Sequence, residues 1–134
     1  MRPRAEAGRR ARPAVAALLA LAALVAGCAT QQGYAGPERS SAEVAVVRAD
    51  PALSAGLPVQ VRLRKVDERE VSASHSAVEV LPGAHRFLVD CSVAGEGTTR
   101  FLVEGEVAAG REYRLEATAS ARSCDAVSLI IRDP

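Results

Sequence analysis

Three cysteines, two histidines and a scatter of serines and acids are the side chains of this 134-residue sequence from which chemistry can be asked. His85, Asp90 and Cys91 suggest a Cys-His-Asp nucleophile. On an extended strand, however, six residues span about 20 Å, far beyond hydrogen-bond reach, and that grouping fails. Ser72, Ser74 and Ser76 flank His75, but serine hydrolysis also requires an oxyanion site and an orienting acid, and no nucleophile-elbow sequence is present. They read as a polar connection. His75, His85 and the scattered acids lack compact metal-ligand spacing, so neither metal nor cofactor is expected and no residue is assigned as catalytic. The GEG at 95–97 precedes no helical pattern and reads as a β-turn rather than a phosphate loop. With no Trp, two Tyr, and both Phe at inward positions, no aromatic platform for sugars or bases is expected.

What remains is Cys28, and the elements that position it come before it in the chain. Residues 1–13 carry Arg2, Arg4, Arg9, Arg10 and Arg12 against Glu6 alone, and the following stretch AVAALLALAALV has no polar side chain. This is a charged n-region followed by an apolar h-region. The run falls short of the ~20 apolar residues that a spanning helix needs. Leu24, Val25, Ala26, Gly27 and Cys28 then resemble a bacterial lipobox: an aliphatic residue, two small ones and a cysteine. The resemblance implies removal of residues 1–27, a diacylglyceryl thioether on Cys28 and acylation of its amine. Two or three chains anchor stably where one binds only marginally. The alternative is a buried cysteine after an ordinary signal peptide. Ala29 stands where an Asp would favour inner-membrane retention, so outer-membrane sorting is expected. Arg9-Arg10 lacks the remainder of a twin-arginine signal.

Without the signal the chain retains 12 of its 17 basic and 15 of its 16 acidic groups, a net charge of about −3. Its slight overall basicity belongs to the signal, and no nucleic-acid partner is expected. The mature length suits one small domain, in a size range where a covalent staple helps. In an oxidising periplasm Cys91 and Cys124 read as a disulfide, contributing roughly 3 to 4 kcal/mol in the loop-entropy model. Two independent core thiols are the alternative, because sequence does not give their separation.

From residue 28 to 41 the chain is polar, is punctuated by Gly33, Gly36 and Pro37, and reads as a flexible tether. Residues 42–134 then carry short period-two stretches separated by turn signals. Val44 and Val46 begin the inward series, followed by Val59, Val61 and Leu63, then Val78 and Val80. After the Leu81-Pro82-Gly83-Ala84 turn come Phe87, Val89, Cys91 and Val93, then Phe101, Val103 and Val107, then Tyr113, Leu115 and Ala117. Val127, Leu129 and Ile131 close the series. About seven strands with no helix after the signal predict an all-β domain, a single two-sheet sandwich. Tyr113 is placed to hydrogen-bond backbone, as in a tyrosine corner.

The Leu-Pro-Gly turn into AHRFLV, with the later AAGREYRL, resembles PEGA-like domains of small bacterial lipoproteins over roughly residues 76–118. That resemblance implies an immunoglobulin-like sandwich serving as an envelope module. It carries over no catalytic residue and gives the cysteine pair no support. Leu88 and Leu102 have outward parity, and a hairpin centred on Glu96 sets them diagonally on adjacent strands as a small apolar patch. Ile130 extends the patch if its strand belongs to the same sheet. The expectation is a non-enzymatic lipoprotein, held in the membrane through Cys28 at the periplasmic face of the outer membrane and contacting another envelope protein. A periplasmic inhibitor or small-ligand binder is the first rival, and a hydrolase the second.

Overall fold

The computed structural model describes residues 30–50, 52–54, 57–120 and 122–132. The expected signal peptide and the lipidation site Cys28 lie outside the described residues. Ten strands follow in order: β1 (Gln31–Gln32), β2 (Ala45–Arg48), β3 (Ala52–Ser54), β4 (Leu57–Val66), β5 (Arg69–Glu70), β6 (Ala77–Val80), β7 (Gly83–Val93), β8 (Thr98–Val107), β9 (Glu112–Ala119) and β10 (Cys124–Arg132). They make two sheets, as the alternating apolar pattern predicts. One runs β1-β6-β2-β9-β10, and the other β3-β4-β7-β8, with the short β5 paired to β4. Two pairs in the first sheet are parallel, β1 with β6 and β2 with β9.

The inner faces share one apolar core. Ala45, Val47, Val78, Val80 and Leu115 from the first sheet meet Val59, Val61, Phe87, Val89 and Val103 from the second. Each alternates with a more exposed neighbour, which is how a strand with one buried face satisfies the hydrophobic effect. Cys91 on β7 is disulfide-bonded to Cys124 on β10, with Cα atoms 6.1 Å apart, so the staple crosses from one sheet to the other.

Several expectations need correction. The segment 30–41 is not a free tether. β1 pairs with β6, the Gly33 amide donates to the Glu79 carbonyl, and Tyr34 is buried. The Tyr34 hydroxyl accepts the Arg39 amide at 2.8 Å, so a polar stretch without periodicity is fixed through its one aromatic. In β2 the inward residues are Ala45 and Val47, whereas Val46 faces out; Val44 is buried just before the strand begins. Ile131 keeps its inward parity opposite Tyr113, yet it is 45% exposed because it lies at the end of an edge strand. The β7–β8 hairpin is centred on Gly95, not Glu96. Ala94 and Gly95 both adopt positive φ, which tightens the tip and closes it with a bond from the Glu96 amide to the Val93 carbonyl. The whole register shifts accordingly.

Candidate functional site

That register places Leu88 directly opposite Leu102 rather than diagonal to it. Both lie on the outer face of the second sheet, Leu88 half-buried and Leu102 53% exposed. Ile130 does not join them. It sits on β10, in the other sheet, where it pairs with Arg114. The expected three-residue patch is therefore two leucines on one face and a separate isoleucine on another.

Beside the leucines is a feature that sequence reading missed. The outer face of the second sheet aligns Arg62, Asp90 and Arg100 across β4, β7 and β8. The β4–β7 pairing slips between Leu63 and Lys65, so Arg64 is an extra residue in the ladder. Such a bulge re-aims side chains, and here Arg64 and Lys65 both reach the outer face. Arg100 donates from Nε and Nη2 to the two carboxylate oxygens of Asp90, at 2.7 and 3.0 Å. Nε of Arg64 lies 3.7 Å from the same carboxylate. The hydrogen bond and charge of Arg100, with the charges of Arg64 and Arg62, hold the Asp90 carboxyl below the usual carboxylate range against the opposing effect of burial. One acid thus holds two guanidinium groups, with Arg62 opposite it in the ladder, and neutralises only part of their combined charge.

Arg62, Arg64 and Arg100 line an open cleft of about 560 Å³, together with Lys65, Glu70, Leu88 and Gln31. Gln31 belongs to β1 and is fixed there from both ends of its amide. Its Nε2 donates to the Glu70 carbonyl at 2.9 Å, and its Oε1 accepts the Ser72 amide at 2.7 Å. The described N-terminal end of the chain is therefore built into the cleft wall. Planar guanidinium forks and a lysine ammonium on one concave face favour phosphate or carboxylate oxygens. Among the described residues, neither Arg62 nor Lys65 has a side-chain hydrogen bond or ion pair, leaving both able to meet an anion.

The other chemistry-bearing residues lie elsewhere. His85 is held by Asp67, with Nδ1 2.7 Å from its Oδ2, and by the Leu81 carbonyl 2.6 Å from Nε2. Both neighbours accept hydrogen bonds. Cys91 is oxidised and buried, and Asp90 faces outward, so the three groups weighed as a nucleophile do not converge. Ser72 and Ser74 bond each other, and Ser74 lies 3.5 Å from Nδ1 of His75. Tyr113 accepts the Ala108 amide at 2.9 Å, the structural role expected of it. No family model matches the chain, and neither a curated protein nor a solved structure is found to be similar to it.

Proposed function

We propose that this chain is a bacterial envelope lipoprotein, acylated on Cys28, held at the periplasmic face of the outer membrane, and acting as a non-enzymatic interaction module. The observation that carries the reading is the disulfide between Cys91 and Cys124. A structural staple between two sheets belongs to an oxidising compartment, the destination that an LVAGC sequence behind an arginine-rich, apolar leader addresses. The PEGA-like resemblance adds support for an immunoglobulin-like variety of the two-sheet fold. Metabolic labelling with a fatty-acid analogue tests the anchor. Cys28→Ser is expected to abolish labelling, and a labelled variant would overturn the assignment. Ala29→Asp is expected to move the protein toward the inner membrane.

The cleft favours a second reading, a periplasmic ligand binder, because four cations line one concave surface. A binder of soluble anions would retain its affinity after release from the membrane. An envelope module would not depend on any soluble ligand.

A further inference from the structure

We propose that the cationic cleft docks onto the phosphate groups of the membrane in which Cys28 is anchored, so that the envelope component this module contacts is the lipid headgroup layer itself. The inference rests on the lipoprotein reading for its anchor and on the folded cleft for its chemistry.

Distance is the first argument. With residues 30–41 folded against the domain, only Ala29 and Thr30 separate Cys28 from Gln31, which lines the cleft. Three residue steps reach about 10 Å at full extension. An acylated Cys28 therefore holds the cleft rim close to the bilayer surface. At physiological salt the field of anionic headgroups decays over about 8 Å, a comparable distance.

Charge and shape are the second argument. Arg62, Arg64, Lys65 and Arg100 line the cleft against two carboxylates, Asp90 and Glu70. This is a local cationic excess on a domain whose net charge is negative. Guanidinium groups donate paired hydrogen bonds to phosphate oxygens, and lysine adds a point charge. Leu88 and Leu102 continue the same face beside the cations, and Leu102 is the most exposed large apolar residue described. Basic and aliphatic groups side by side match a headgroup layer with acyl chains beneath it. A soluble phosphate would use only the cations.

The absence of tryptophan permits a direct test. Leu102→Trp introduces a single reporter beside the cleft, opposite Leu88, and Ser128→Trp places one on the outer face of the first sheet. The full chain is reconstituted in phosphatidylcholine vesicles with or without phosphatidylglycerol, and fatty-acid labelling of Cys28 is read on the same preparation. With phosphatidylglycerol, the Leu102→Trp reporter is expected to shift to the blue and to be quenched by brominated lipid, while the Ser128→Trp reporter does neither. Arg62→Glu with Lys65→Glu is expected to lower the docked-to-undocked ratio by well over roughly thirtyfold, the effect of removing two cations from an anionic surface. Molar salt, which shortens the screening length to about 3 Å, is expected to undock the cleft. A chain labelled on Cys28 whose Leu102→Trp reporter ignores phosphatidylglycerol overturns the docking and leaves the anchor intact, with the face open to a protein partner. An unlabelled chain overturns the anchor, and the phosphatidylglycerol response still reports on the cleft. If inorganic phosphate or glycerol phosphate abolishes quenching at concentrations far below the lipid phosphate, the site belongs to a soluble phosphate and the membrane assignment falls.

Discussion

Both tyrosines use the hydroxyl to accept a backbone amide five residues away, Tyr34 from Arg39 and Tyr113 from Ala108. A buried ring with a bonded tip fixes the path of a loop that has no ladder of its own, and losing such a bond costs about 1 kcal/mol. Tyr113→Phe is expected to lower the unfolding free energy by that amount, read as a fall in the urea midpoint without a change of slope. The carboxylates set a second expectation. Burial tends to raise the Asp67 carboxyl, but the His85 bond, the Arg86 amide and both neighbouring charges bring it below its ordinary value. Arg100 does the same for Asp90, and Arg48 for Glu112. A carboxylate whose folded pKa is depressed contributes stability that is present above its unfolded value, near pH 4, and withdrawn as pH falls through the folded one. Stability is therefore expected to decline on acidification from about pH 5 downward, and Asp67→Asn with Asp90→Asn should flatten that decline in thermal unfolding. Tyr113 was legible because it starts an alternating stretch. Tyr34 was not, because a single aromatic among glycines and glutamines carries no period.

Strand β1 is the shortest kind of element, yet it closes the edge of the first sheet and forms the cleft rim. Its position depends on Gly33, where an added Cβ would meet the Glu79 carbonyl oxygen and Val78 Cγ2, both at 2.7 Å. Backbone cannot yield as a flexible side chain does, so Gly33→Ala is expected to lift β1 from β6 at a cost of about 1 to 3 kcal/mol. Hydrogen exchange at the amide of residue 33, which donates to the Glu79 carbonyl, should rise in the variant while β7 and β8 stay protected. The staple makes the opposite case, a long-range tie. Closing a separation of 33 residues is worth about 4 kcal/mol in the loop-entropy model. Cys91→Ala with Cys124→Ala should lower stability by an amount of that order, with the reduced wild type matching the variant in the same denaturant series. Alternation made β4, β7 and β9 readable, since one face of each is buried. The bulge at Arg64 and the pairing of β2 with β9 depend on partners far away in sequence, and with them went the cleft.

At the scale of the whole molecule the two sheets differ in how far apart in sequence their neighbours lie. The long strands β7 and β8 pair as a hairpin, whereas the centre of the first sheet joins Val46 to Glu112 and Arg48 to Arg114. Contacts between residues so remote in sequence must pay for loop closure before they return anything, and they form late. Time therefore enters the structure. A chain delivered from its N-terminal end during synthesis can close the β7–β8 hairpin while β9 and β10 are still arriving, and β2 waits beside β6 for its second neighbour. Cys91 is delivered well before Cys124 and stays open to wrong partners until the last strand lands. In refolding from the reduced state, amides of β7 and β8 are expected to gain protection before those of β2 and β9, as pulsed hydrogen exchange can read. The bond that locks the two sheets is then the final event of maturation.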